Sequence, residues 1–424
     1  MNAELKTLFL DILREELVPA MGCTEPISIA YASALTRKTL GELPERVELT
    51  VSANIVKNVK SVVVPNTGGL RGIAAAAAAG IVAGNADREL EVLEGIDANA
   101  VSRISEYLAS AEIKVVPSSG NCIFEIRVRA WAGEHSAVVH LAGDHTNLIH
   151  VQRDDEILLH KHYREDGVAV KPEREKLSIK AIVEFADTVA LSEISPILSR
   201  QIAYNTAIAE EGLRGEWGAR IGQILLDSYG DSVHNRAKAM AAAGSDARMS
   251  GCELPVIINS GSGNQGMTAS LPVIVYAREL KVSEEALMRA LAVSNLVTIH
   301  MKTGVGCLSA YCGATSAGCG AAAGIAYLHG GKSYEISHTV VNAVAINSGL
   351  ICDGAKPSCA AKIASSVEAG LLGWQMQRHG SQFYGGEGIV LKGVENTIRQ
   401  VGELAHDGMR ETDRVIIQMM TENN

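Results

Sequence analysis

At 424 residues the chain exceeds what one hydrophobic core usually holds, which predicts two domains. Hydrophobic residues make up 47% and aromatics only 4%, so the core is expected to form from closely approaching helices rather than large rings. A net charge of −10 argues against nucleic acid or an anionic membrane surface as a partner. Met1 to Lys6 does not open a signal peptide. No apolar run reaches the ~18 residues of a spanning helix, Gly72 to Gly84 coming nearest. A cytoplasmic location is therefore expected. There the cysteines Cys23, Cys122, Cys252, Cys307, Cys312, Cys319, Cys352 and Cys359 point to metal binding or catalysis before disulfides. Cys122 and Cys252 read as small buried hydrophobes, while Cys307 and Cys319 fit either role.

Along the chain, Leu5, Leu8, Leu10, Ile12 and Leu13 recur at roughly helical spacing. A break at Gly22-Cys23-Thr24-Glu25-Pro26 precedes a second helix from Ile27 to about Lys38. Val47 to Val51 and Ser61 to Val64 read as strands, Asn66 to Gly69 as a turn, and Ile73 to Val82 as a small-residue helix containing six alanines. From Lys114 to Val151 the pattern alternates, most cleanly over Ile123 to Arg129, with Ala137 to Leu141 and Leu148 to Val151 as partner strands. The charged stretch Lys161 to Lys176 is expected to be exposed. Beyond Ser178 helices dominate: 179–191, 193–211, 221–229, 233–243, 283–300, 314–328, 337–349 and 394–405. Ser283-Glu284-Glu285 supplies an N-cap hydroxyl and acids for the first turn. The reading is α+β: an N-terminal α+β lobe, 1–175, followed by an all-helical Ala/Gly-rich lobe, 176–424. Such a helical lobe could pack against a second copy of itself.

Gly261-Ser-Gly263-Asn-Gln-Gly266 matches the dinucleotide fingerprint G-x-G-x-x-G and follows the apolar run Val256 to Ile258. The unit lacks the second strand ending in an acid ~20 residues on, which weakens a nicotinamide reading. Glycines at these positions let main-chain N–H groups approach an anion, and a following helix adds its dipole. A substrate carboxylate would suit that loop, with the Asn264 amide as a further donor. A tight turn chosen for packing is the plainer alternative.

Cys312 opens C-G-A-T-S-A-G-C, and Cys352 and Cys359 bracket C-D-G-A-K-P-S-C. Thiolates spread over tens of residues among small neighbours can wrap something bulkier than one ion. An iron–sulfur cluster with one iron open to substrate fits that description.

These motifs, with Gly22 to Pro26 and Ser260 to Pro272, resemble the iron–sulfur L-serine dehydratases over nearly the whole chain, and more closely the L-cysteine desulfidase family grouped with them. The resemblance implies a [4Fe–4S] cluster on Cys312, Cys352 and Cys359, with the last interval shorter than in the dehydratases. Cys307 could replace Cys312 by a local shift. The dehydratases carry a Ser-Ser-Ser-His-Thr segment where this chain has Gly22 to Pro26, so that histidine is absent here. In the desulfidase-like group the cysteine at this place, Cys23, is itself a candidate ligand. If it ligates, the cluster joins both lobes, and either Cys359 is free or the fourth iron is closed.

The activity implied is β-elimination of L-cysteine to pyruvate, ammonia and sulfide without pyridoxal phosphate. L-Serine dehydration by the same route and a non-catalytic iron–sulfur redox sensor are the alternatives. Cys23, Thr24, Glu25 and Lys57 are the candidate catalytic residues. Asn66, Gly261, Gly263, Asn264 and Gly266 are the candidate contacts for a small amino-acid substrate between the lobes. Lys60, Lys302, Lys356 and Asp353 lie close enough to the motifs to compete as base, although a solvated lysine is the default. His300, on an apolar helix face, reads as a satisfied core histidine.

Overall fold

The computed structural model describes residues 1–120, 122–163, 172–306 and 309–422. Apart from a small ribbon, the strands gather in the N-terminal half. Six of them form one sheet: β2 (Arg46–Val51), β3 (Glu112–Pro117), β4 (Glu125–Ala132), β5 (His135–Ala142), β6 (Leu148–Arg153) and β7 (Glu156–His160). The order is β3-β2-β4-β5-β6-β7, with only the β2–β3 pair parallel. Alternation decides its faces. Ile126, Val128 and Ala130 of β4 turn inward against the helix Thr24–Leu40, while Arg127 and Arg129 face out.

That helix lies between the sheet and the alanine helix Ile73–Ala83. A Cβ on Gly80 would lie 2.1 Å from the Ala30 carbonyl oxygen, so the alanine run serves close backbone approach. The helical half follows the same rule. Its central helix, Gly313–Leu328, is buried among Gly263–Leu280, Glu284–Thr303, Ser333–Ile346 and Cys359–Arg378. A Cβ on Gly318 would meet the Ser366 carbonyl oxygen at 2.3 Å. Small residues thus do the work that aromatic rings do elsewhere, as the composition implies.

The two halves are laced at the N-terminus. A two-stranded antiparallel ribbon joins β1 (Pro19–Met21) to β8 (Pro255–Ile257), and the helix Ala3–Glu16 packs on Leu191–Arg214 and Glu284–Thr303. The fold is α+β, as expected.

Three local expectations change. Ser61 to Val64 reads as a strand, yet only Val63 makes an isolated bridge, to Arg71; Val62 to Val64 form a buried loop after the unforeseen helix Ala53–Val59. Its β-branched residues pack without a partner strand, so burial overrides strand propensity. The motif ending at Cys359 continues into the helix Cys359–Arg378, and a further helix spans Arg410–Glu422. The charged stretch Lys161 to Lys176 is mainly exposed where it is described, 164–171 lying outside the described residues, but Arg174 within it is buried, bonded to Glu15 at 2.9 Å and Glu16 at 2.7 Å. Among the described residues no helix is long and apolar enough to cross a membrane.

Candidate active site

Four helix beginnings converge on one cavity of about 100 Å³. Cys23 stands at the N-cap of Thr24–Leu40, Cys312 at the N-cap of Gly313–Leu328, and Cys359 is the first residue of Cys359–Arg378. The fourth beginning is the Ser260–Ser262 loop ahead of Gly263–Leu280. Cys352 joins them from a loop fixed by two main-chain bonds: Cys352 N–H donates to Ala310 O at 2.7 Å, and Cys312 N–H to Leu350 O at 2.8 Å. Cys23, Cys312, Cys352 and Cys359 all line the cavity, and all are free thiols. Helix N-termini favour thiolate over thiol, but at these three sulfurs burial and neighbouring groups outweigh that effect.

The thiols do not titrate alike. Cys352 is held well below the ordinary thiol range by a hydrogen bond from Cys312, which outweighs burial, with the Lys57 ammonium adding to the effect. Cys312 is pushed up by that same bond and by burial. Cys23 is pushed up by burial and by the Glu25 carboxylate, to which its Sγ donates at 3.0 Å. Burial raises Cys359 as well. Among the described residues no three His, Cys, Asp or Glu side chains converge tightly enough for a single ion. The thiols surround a volume instead. That suits a cluster, which takes one thiolate at each of several irons, and so the residues present fit the group.

The other expected residues divide. Glu25, Gly261 and Asn264 are on the wall. Thr24 stands just behind it, its hydroxyl donating to Gly261 O at 3.0 Å. Lys57 is buried away from the wall and paired with Asp413 of the C-terminal helix at 2.5 Å. Asn66 donates to Leu93 O at 2.7 Å, and Lys356 pairs with Asp353. Lys302 reaches the wall, its ammonium donating to Gly306 O at 2.6 Å. His300 meets Glu395 at 2.6 Å, outside the cavity. Cys122 packs with Ala142 and Ile149, and Cys252 is buried in the main core. Cys319 is buried within its helix, where desolvation lifts its thiol to about 12. Cys307 lies outside the described residues.

Two wall residues with charge-bearing side chains, His and Arg, escaped the sequence reading. His145, in the loop between β5 and β6, is 4% exposed, and among the described residues its Nε2 has no hydrogen-bond partner. Its Nδ1 is 3.4 Å from Asp144 Oδ1, and its ring meets Phe124 edge-on. Burial pulls the imidazole down, but the Asp144 bond and the Glu25 charge together leave it above the ordinary histidine value. Arg248, in the last turn of Val233–Met249, is 2% exposed and donates from Nη1 to Asn264 Oδ1 at 3.1 Å. Among the described residues its Nε has no partner. The only sequence signals are a His-Thr-Asn in a turn after a strand and a cation inside an alanine-rich helix.

The glycines of the 261–266 motif make sense once these two are seen. A Cβ on Gly261 would lie 2.9 Å from His145 Cε1, and one on Gly263 would lie 2.5 Å from Arg248 Nε. On Gly266 it would meet the Ile257 carbonyl oxygen at 2.0 Å. Two of the glycines clear space for wall side chains, and the third lets the helix approach β8.

The serine dehydratase alpha chain family matches residues 87–418. Over nearly its full length the chain is also similar to UPF0597 proteins. That of Desulfitobacterium hafniense is 55% identical over 97% of this chain and 96% of its own. That of Lachnoclostridium phytofermentans is 49% identical, covering 97% and 98%. The Treponema denticola protein is 46% identical, covering 98% of both.

Proposed function

The chain belongs to the serine dehydratase alpha chain family, and on that footing we propose an iron–sulfur lyase that eliminates the β-substituent of a small 2-amino acid, L-cysteine before L-serine. A dehydratase-like lyase activity is what the family suggests. The single observation carrying the finer reading is the placement of Cys23, Cys312, Cys352 and Cys359 around one cavity that also holds a histidine and an arginine. Sulfur is favoured as the leaving atom on chemical grounds, since a soft thiolate suits iron. The closer likeness of the motifs to the desulfidases points the same way.

Cys312, Cys352 and Cys359 would hold the [4Fe–4S] cluster; if Cys23 ligates, either Cys359 is free or the fourth iron is closed. When bound, the cluster supplies Lewis acidity toward the leaving group, without redox change. The rest belongs to the chain. His145, oriented by Asp144, takes the Cα proton at Nε2, the atom left without a partner. The Cα–H electron pair forms the Cα=Cβ bond, and the Cβ–S pair departs on sulfur. The aminoacrylate tautomerises and adds water, giving pyruvate and ammonia beside the sulfide. Glu25, receiving bonds from Cys23 and Thr24, lies close enough to keep the imidazole basic. Lys57 acts through Cys352, as a buried charge, rather than on substrate. Residues 1–175 would then form the substrate-side lobe and 176–424 the cluster-binding lobe.

The test is anaerobic purification with iron and acid-labile sulfide quantified, then pyruvate and sulfide assayed with L-cysteine and L-serine. About four iron and four sulfide per chain, with sulfide released from cysteine, is the expected result. Serine turnover alone would move the substrate, and iron-free, inactive protein after anaerobic reconstitution would remove the proposal.

A further inference from the structure

A guanidinium buried without a carboxylate partner is costly, because desolvation is repaid only by good charge and hydrogen-bond geometry. Arg248 is such a group. It is 2% exposed, on the cavity wall, and among the described residues no carboxylate stands within ion-pair distance of it. Asp246, two residues back on the same helix, accepts from Gly222 N–H at 3.3 Å instead. The charged and titratable groups that act on Arg248 are Cys23, Glu25 and Cys359, and His145 feels its charge in turn. Glu25 is already engaged by Cys23 and Thr24.

The fork is nevertheless held in place. Asn264 takes Nη1, and the missing side chain at Gly263 leaves room along Nε and Cζ, where a Cβ would come within 2.5 Å and 2.8 Å. Nε remains unsatisfied beside the cavity. On the same wall, among the described residues, Gln265 Oε1 is also without a partner, an acceptor suited to an ammonium.

We infer that Arg248 is the carboxylate anchor of the amino-acid substrate, and that the glycine-rich loop positions this side chain rather than cradling the anion with its own N–H groups. The inference rests on the amino-acid reading of the cavity and refines it. A planar guanidinium meets a carboxylate with two parallel bonds, fixing orientation as well as charge. With the carboxylate at Arg248 and the amino group toward Gln265, the Cα–H can be turned to His145 across the same cavity.

L-Alanine has the substrate's carboxylate and amino group but no β leaving group, and L-alaninamide lacks the carboxylate. Calorimetric titration of both into the anaerobically purified protein, with iron quantified in each sample, tests the anchor. Alanine should bind about 30-fold tighter than alaninamide, and Arg248→Gln should abolish the difference with iron content unchanged. Arg248→Lys, which keeps the charge but not the fork, should fall between.

Alaninamide binding as well as alanine, or no measurable alanine binding, overturns the inference on unaltered protein, so it does not hang on a variant that folds. Arg248→Gln losing iron while keeping alanine affinity also overturns it, by making the guanidinium a counter-charge to the cluster. If the protein proves iron-free yet alanine binding still depends on Arg248, the lyase proposal fails and the anchor stands.

Discussion

Replacing Gly261 by alanine tests how the loop holds His145. The residue has φ +76, a left-handed backbone costing a side-chain-bearing residue about 1–2 kcal/mol. The new Cβ would stand 2.9 Å from His145 Cε1 and 3.1 Å from Nδ1, where ordinary contact begins near 3.4 Å. The ring must therefore move by ~0.5 Å, and a displacement of about 1 Å at a reacting group can cost ~100-fold. A fall in kcat of about 10-fold or more is expected, with melting lowered by about 2–5 °C. Gly380→Ala is the matched control: φ is +71 but nothing lies within 4 Å of the added Cβ. It should lose comparable stability and keep kcat. Steady-state kinetics and thermal melts on the two variants decide. An unchanged kcat in Gly261→Ala would refute the placement of His145 in the reaction.

Three further outcomes are expected. With His145 as base, kcat/KM should rise with pH through a value above the ordinary histidine range, and Asp144→Asn should move that limb to lower pH by removing the bond that lifts it; a limb that stays put excludes the pair. Serine at Cys312, Cys352 or Cys359 should lower bound iron and sulfide in parallel, whereas serine at Cys122 or Cys252 should leave both unchanged; retention at Cys359 but loss at Cys23 would reassign the third ligand. Asp413→Asn strands the Lys57 ammonium, 1% exposed, and should cost about 3–5 kcal/mol in chemical denaturation, with Lys57→Met in the same chain restoring much of it; a neutral single variant would show that water reaches Lys57.

The parts legible in the sequence were those written in periodicity. The alternation of Ile126, Val128 and Ala130 fixed a strand, and the alanine run from Ala74 to Ala79 fixed a close-packed helix. The cysteines stood out because their neighbours are small. What stayed hidden was pairing across the chain. Val62 to Val64 has strand composition but no strand beside it, a fact held only by the fold. Lys57 looked like a motif residue until Asp413, 356 positions later, was found to hold it. His145 and Arg248 carry no periodic signal, because a lone polar residue becomes informative only when its burial and missing partners are known. The glycine motif was visible, and Gly261 uses the backbone freedom its spacing spoke of, at φ +76; that two of its glycines also leave space for side chains from elsewhere was not legible.

The distance along the chain between the cavity's first and last thiol also sets a timetable. Cys23 and Cys359 are 359 − 23 = 336 residues apart. At ribosomal rates of about 5–20 residues per second, Cys23 is made on the order of 20–70 seconds before Cys359. The β1 strand beside it waits in the same way for β8, its only partner in the ribbon. The cavity therefore cannot close around anything during synthesis. The sheet and its covering helices can fold early, while Cys23 stays a lone, oxidisable thiol until the chain is nearly complete. Any group held by both Cys23 and Cys359 can therefore be loaded only late, on an otherwise folded protein.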